Sequence, residues 1–212
     1  MELINHLADA YAEKISSNDD MLLKQIQEDT LNNHPHAQMM SSLTQGRILA
    51  LFSRLKKPKY ILEIGTFTGF SALCLAEGIH ENGELHTIEL RDEDADTAEK
   101  NFNLSTYAKK IILHRGNALD IIPTLDFKWD IIFIDADKTG YIKYYDMVLP
   151  RLKKDGLIIA DNVLFHGEVL EEKVIGKNAK AIREFNEHVF NDKYTQQVMA
   201  TVRDGLLLIQ KK

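Results

Sequence analysis

The sequence predicts an α/β protein. A doubly wound, mostly parallel seven-stranded sheet carries an antiparallel C-terminal edge hairpin and follows an N-terminal helical segment. Three observations predict it. Five short runs, apolar on both faces, alternate with amphipathic helical stretches, the pattern of a parallel sheet covered on both sides. Two further apolar runs near the C-terminus are joined by the tight turn "RDG", as in a hairpin. The first 55 residues repeat apolar positions at helical spacing and show no strand alternation.

Taken in order, the chain opens with helices over "ELINHLADAYAEKISS", "DDMLLKQIQEDTLNN" and "MMSSLTQGRILALFSRL". "NDD" at 18–20 offers an N-cap region for the second, and Pro35 ends it. The strands are expected at "YILEI" (60–64), "GELHTIEL" (83–90), "KKIILHR" (109–115), "DIIFID" (130–135) and "GLIIAD" (156–161). Helices fall between them near 69–80, 92–106, 117–122 and 140–153. The last helix is "NAKAIREFNEHVF", and "TQQVMATV" and "LLLIQ" form the hairpin. With no internal repeat, low-complexity tract or linker, residues 1–212 read as one domain.

Composition narrows the class of function. Hydrophobic content of 44% and charged content of 27% are those of a globular protein. The net charge of −6 argues against tight nucleic-acid binding, which needs a clustered basic face. The single cysteine, Cys74, excludes an internal disulfide and a thiolate zinc cage; inside an apolar helical pattern it reads as a small core residue. The N-terminus has acids and no apolar signal core, and no run approaches the ~20 residues of a membrane span. A cytoplasmic location without membrane attachment is expected.

Ligands of open parallel sheets bind beyond the carboxyl ends of the strands. Strand one is followed by Gly65 and Gly69, and strand two ends at Glu89. Strand three runs into Gly116, Asn117 and Ala118, strand four into Asp135, Asp137 and Lys138, and strand five into Asp161 and Asn162. Loops are polar in any protein, yet here every strand delivers polar or glycine chemistry to one edge. In "LEIGTFTGFS" the glycines allow close backbone approach, and a helix N-terminus offers N–H groups to an anion. Glu89 is placed to accept from ribose hydroxyls. The spacing is E-x-G-x-x-x-G, starting at Glu63, rather than G-x-G-x-x-G. That favours an adenosine ligand without a pyrophosphate. S-adenosylmethionine fits, with its carboxylate on backbone N–H groups or a hydroxyl such as Ser71.

"EIGTFTGFS", "IDADK" and "ADNVL", in this order and spacing, resemble the class I S-adenosylmethionine-dependent O-methyltransferases, within them the caffeoyl-CoA and catechol O-methyltransferase group. The resemblance runs from about Met39 to "RDGLLL" and implies a Rossmann-like fold. It also implies a cofactor site drawn from Met39, Ser41, Glu63, Gly65, Thr66, Ser71, Glu89, Asn117, Ala118, Asp135 and Asp137. Ser41 matches a position beside the methionine moiety, where Met39 would line the same pocket or else pack in the core; Ala118 matches one facing the adenine, and Asp137 one holding the aminoacyl end. Asn117 stands where many relatives have aspartate.

In the family, residues matching Asp135, Asp161 and Asn162 hold a divalent cation. The chemistry agrees, since all-oxygen hard ligands suit Mg²⁺, Ca²⁺ or Mn²⁺. The alternative is that Asp161 and Asn162 merely cap a turn. Lys138 matches a proposed base, expected to have its pKa lowered by a nearby cation; otherwise it is a surface lysine, and Asp137 a solvated turn acid. An acceptor pocket is expected around the segment 163–180. There Phe165 replaces a tryptophan of plant relatives and His166 an asparagine. Phe165 could stack on the acceptor's aromatic ring or pack in the core, and His166 could bind the acceptor, act as an auxiliary base or lie exposed in the loop. Tyr141 and Tyr144 line the mouth or pack on the sheet, and His34 and His36 are not expected to bind metal.

The implied activity is metal-dependent methylation of a small catechol-type phenol, by a chain whose relatives are commonly homodimers. Methylation of a hydroxylated uridine in transfer RNA is the alternative, against which the acidic "EVLEEK" weighs. The glycine spacing opposes an NAD-dependent oxidoreductase, and the oxygen ligands with Lys138 oppose a non-catalytic module.

Overall fold

The computed structural model describes residues 5–17 and 20–212. Helix α1 (His6–Ile15) is capped by Asn5, and α2 (Met21–Asn33) by Asp20, whose Oδ1 accepts from Leu22 and Leu23 N–H. Asn18 and Asp19, the rest of the expected cap, lie outside the described residues. The α2 helix stops one residue before His34 and Pro35, where a proline prevents continuation. A short 3₁₀ turn, Ala37–Met39, precedes α3 (Leu43–Lys56). The third helix therefore starts later than the periodicity predicts. The Ser42 hydroxyl accepts from Gln45 N–H at 3.3 Å and sets the boundary, leaving Met39 at the end of the 3₁₀ turn and Met40 and Ser41 non-helical, together a strap before α3.

The sheet follows in the order β3-β2-β1-β4-β5-β7-β6. Its strands are β1 (Tyr60–Ile64), β2 (Glu84–Glu89), β3 (Ile111–Arg115), β4 (Trp129–Ile134), β5 (Leu152–Asp161), β6 (Thr195–Ala200) and β7 (Leu206–Lys211). The first five pair in parallel; β7 is antiparallel to β5 and β6 closes the edge. Between them run α4 (Phe70–Ala76), α5 (Asp92–Leu104), α6 (Ala118–Ile121), α7 (Tyr141–Val148) and α8 (Lys177–Phe190).

Residues 152–153, expected to end a helix, belong instead to β5. Lys153 pairs with Asp130 of β4 at 2.8 Å across an irregular register, so its charge sits on a partner while the backbone stays extended. Because β1, β4 and β5 lie inside the sheet, their side chains are buried on both faces. One apolar cluster packs Trp129, Ile132, Tyr145 and Phe185 on one side, and another packs Leu49, Phe70, Leu75 and Phe133 on the other. This is the physical reason for continuous apolar runs. Cys74 is among the buried residues, with its pKa pushed up to about 12 by burial. Among the described residues no helix is long and apolar enough to cross a membrane.

Candidate active site

All five parallel strands end against one cavity of about 740 Å³, inside the roughly 300–1,000 Å³ range of small-molecule sites. The order reverses between β1 and β4, and such switch points open a crevice between diverging loops.

Gly65 follows β1 at φ +98°, and a Cβ there would stand 1.9 Å from the Asp135 carbonyl oxygen. Only glycine permits the first loop to lie against the fourth strand's end. The loop is held by Glu89, whose Oε2 accepts from Thr66 N–H (3.1 Å) and Phe67 N–H (2.7 Å), and whose Oε1 accepts from Arg91 N–H (3.0 Å). Three of the roughly four acceptor positions of this carboxylate are thus used by backbone. Glu89 anchors the glycine loop as well as lining the cavity.

Glu63, expected among the cofactor-site residues, reaches the cavity through Ser71. It is fully buried and absent from the cavity wall, one layer behind Ser71, which is in it. The Ser71 hydroxyl donates to Glu63 Oε1 (2.6 Å) and the Thr87 hydroxyl to Oε2 (2.5 Å). Burial pushes the carboxyl up to about 8 despite those two donors.

At the end of β4, Lys138 Nζ donates to Asp135 Oδ1 and to the Tyr141 hydroxyl, both at 2.9 Å. The Tyr141 hydroxyl faces the carbonyl oxygens of Ile134 (3.3 Å) and Asp161 (3.1 Å), tying β4 to β5. Burial alone lowers the Lys138 pKa, but Asp135, Tyr141 and Asp161 outweigh it and the pKa is raised. In this arrangement, with no cation present, Asp135 and Asp161 favour the ammonium form of Lys138. Tyr144 donates to Asp137 Oδ1, and Thr139 to its Oδ2.

Asp161 also lies behind the wall, 2% exposed. Its Oδ2 accepts from Gln45 Nε2 at 2.5 Å and its Oδ1 from Asn162 N–H at 2.6 Å. Burial and then Asp135 push its pKa up to about 7, against Lys138, Gln45 and the Asn162 N–H. Asn162 adopts φ +57°, and its Nδ2 faces Asp204 Oδ2 at 3.3 Å. Among the described residues no three His, Cys, Asp or Glu side chains form a metal cluster. The candidate set is two carboxylates and an amide oxygen, and it fits a hard cation. A buried carboxylate destabilised by a second one is what an added positive charge would relieve.

Met39, Ser41, Thr66, Ala118, Asn117, Asp137, Phe165 and His166 also border the cavity. Met39 is half exposed above it, while neighbouring Met40 is buried. Asn117 caps α6 through Leu119 N–H. Phe165 packs partly against the core, and His166 is 75% exposed at the side chain. Tyr141 is fully buried rather than at the mouth, whereas Tyr144 lines it. His34 binds Asp94 at 2.8 Å.

Four residues that reach this site were not singled out from the sequence: Gln45, Arg203, Asp204 and Arg91. "S-L-T-Q" at 42–45 carries a capping-box spacing, which marks the helix start but not the Gln45 contact with Asp161.

A Rossmann-like sheet with a glycine loop at its switch point defines a nucleotide-type cofactor fold. The family model described as O-methyltransferase matches residues 13–212. A catechol O-methyltransferase from Niastella koreensis is 38% identical over 150 residues, covering 68% of this chain and 67% of that protein. A probable caffeoyl-CoA O-methyltransferase from Dictyostelium discoideum is 30% identical, covering 89% and 84%. The SAH-bound methyltransferase PaMTH1 from Podospora anserina superposes with a TM-score of 0.90 at 29% identity, covering 97% and 94%. The chain belongs to the S-adenosylmethionine-dependent O-methyltransferase family.

Proposed function

We propose that this protein transfers a methyl group from S-adenosylmethionine to a hydroxyl of a small catechol-type phenol, with a divalent cation, Mg²⁺ by preference, at Asp135, Asp161 and Asn162. The observation that carries the proposal is the meeting of those oxygen donors with Lys138 at the end of the glycine-loop cavity. Relatives bearing catechol and caffeoyl-CoA names support the acceptor class. When bound, the cation supplies Lewis acidity that eases loss of a phenolic proton.

The chain's own residues do the rest. Gly65, Thr66 and Ser71 form the cradle for the cofactor's aminoacyl end, and Glu89 holds that cradle in place while keeping one acceptor position for a hydroxyl. Ala118 and the Asn117 cap bound the adenine end. Lys138, an ammonium beside Asp135, first gives up a proton to solvent, and as the neutral amine its Nζ then receives the phenolic proton. The oxygen–methyl bond forms as the sulfur–methyl bond breaks, leaving a neutral thioether. Orientation of the two reacting atoms is the main contribution of the cavity walls.

The test is S-adenosylhomocysteine release with a panel of catechols in Mg²⁺ and in excess EDTA. Release that EDTA abolishes is expected. No release from a protein that binds S-adenosylhomocysteine would refute the small-phenol reading and move the search to transfer RNA.

A further inference from the structure

Three of the six described non-glycine residues with positive φ lie in one loop. Asn162, Phe165 and His166 have φ of +57°, +42° and +55°, a region non-glycine residues seldom enter. Such conformations persist only where surrounding structure over-determines them, and they gather at functional sites. Here the surrounding structure is the turn between β6 and β7. Leu164 N–H donates to the Asp204 carbonyl (2.9 Å) and Val163 N–H to the Gly205 carbonyl (3.2 Å). The Asp204 carboxylate does more. Only 7% exposed, it accepts from His166 N–H through Oδ1 at 2.5 Å and from the Asn162 amide through Oδ2 at 3.3 Å.

An ionised carboxylate can only accept. It therefore turns the Asn162 amide nitrogen towards itself and the amide oxygen away. One side chain sets both the loop that carries Phe165 and His166 and the orientation of an oxygen donor. We propose that Asp204 is a positioning residue for acceptor recognition. It holds residues 162–167 in their strained path and presents the Asn162 oxygen, without taking part in cofactor binding. The acceptor part rests on the methyl-transfer reading above.

The test compares Asp204→Ala and Asp204→Asn in the full chain by amide hydrogen exchange, calorimetric binding of Mn²⁺ and of S-adenosylhomocysteine, and catechol KM. Asp204→Ala removes a hydrogen bond to a charged group, so exchange at 163–167 and KM should each rise about tenfold or more. The S-adenosylhomocysteine Kd should stay within about twofold, less than the loss of one hydrogen bond would cause. Asp204→Asn can still accept from His166 N–H through its amide oxygen, but its NH₂ would draw the Asn162 oxygen towards itself. Exchange should then remain near wild type while Mn²⁺ binds about tenfold more weakly.

A protected loop and unchanged KM in Asp204→Ala would overturn the proposal. So would a parallel fall in S-adenosylhomocysteine affinity, which marks a merely structural role. Should Asp204→Ala fail to fold, Asp204→Asn decides through its split between exchange and Mn²⁺ binding. Neither readout needs an acceptor, so absent catechol turnover in the wild type would count against the methyl-transfer reading alone.

Discussion

The Gln45 amide donates to Asp161 Oδ2 at 2.5 Å, between a side chain with no exposure and one that is 2% exposed. This contact joins the first turn of α3 to the carboxyl end of β5, 116 residues apart. The Gln45 Oε1 atom is buried without a hydrogen-bond partner, so the amide is committed to the carboxylate at one end only.

Gln45→Leu keeps the volume and removes the donor. Two consequences are expected. Stability should fall by about 1–3 kcal/mol, the range for leaving a buried polar group unmatched. Mn²⁺ affinity should fall about 10–100-fold, the range for losing a group that orients a ligand. Thermal melts and calorimetric titration read the two separately. Unchanged Mn²⁺ binding in a folded variant would show that Asp161 needs no such support.

Glu63 gives the protein a pH-dependent stability of its own. Its folded pKa rises from the ordinary 4.5 to about 8, burial being the largest cause. Between those values the folded chain keeps a proton that the unfolded chain has lost, so stability falls as pH rises. The contribution is complete below about 4.5 and gone above about 8. The slope approaches about 1.4 kcal/mol per pH unit within the window. Glu63→Gln stays neutral throughout and should remove that slope. The difference between wild-type and variant Tm, followed from pH 5 to 9 without ligand, should change by several degrees at about 2–4 °C per kcal/mol. Parallel curves would mean that Glu63 is ionised in the folded state.

Much of this architecture was legible because buried parallel strands are apolar on both faces. The runs at 60–64, 84–89 and 129–134 could be nothing else once helices were seen between them. The strand ends were legible for the opposite reason, since Glu89, Asp135 and Asp161 put charge where a buried run stops. What was not legible lies in contacts made across the chain. Lys153 looks like the end of a helix until Asp130 is beside it. Gln45 looks like a capping residue, and Arg203 and Asp204 look like turn chemistry. Their partners are set by tertiary approach rather than by local spacing. Glu63 sits in the right motif, yet only the packing reveals that Ser71 stands between it and the cavity.

Arg203 ties the strap before α3 to the β6–β7 turn. Its Nη1 donates to the Met40 carbonyl at 2.6 Å and its Nη2 to that of Gln38 at 3.4 Å, at a backbone φ of +51°. Both strap and turn line the cavity. Arg203→Gly removes the latch and relaxes the backbone, because glycine adopts positive φ freely. The strain relieved, about 1–2 kcal/mol, is outweighed by the entropy glycine adds to the unfolded chain, about 0.4–1 kcal/mol, together with the lost charged hydrogen bonding, about 1.5–3 kcal/mol. Tm should therefore fall by a few degrees. Stopped-flow release of S-adenosylhomocysteine should accelerate about tenfold, the worth of one such hydrogen bond. Unaltered release would show that the strap is fixed by its other contacts, such as Met39 N–H on the His36 carbonyl and Met40 N–H on that of Ala37.

Lys138 and Asp135 form an ion pair at 2.9 Å, yet their removal should not have the same effect. Asp135 is a proposed oxygen ligand, whereas Lys138 is a proposed proton acceptor. Asp135→Ala should abolish turnover together with Mn²⁺ binding. Lys138→Ala should leave Mn²⁺ bound and the S-adenosylhomocysteine Kd within a few-fold. Its kcat should drop by about 10²–10⁴, the usual worth of a positioned proton-transfer group. Removing Lys138 also frees Asp135 from a competing cation, so Mn²⁺ should bind as tightly as in wild type or tighter. Calorimetry without acceptor gives the binding comparison, and single-turnover kinetics gives the chemical step. A Lys138→Ala variant with wild-type kcat would remove the lysine from proton transfer. One that loses Mn²⁺ affinity would make Lys138 a structural prop of the carboxylates.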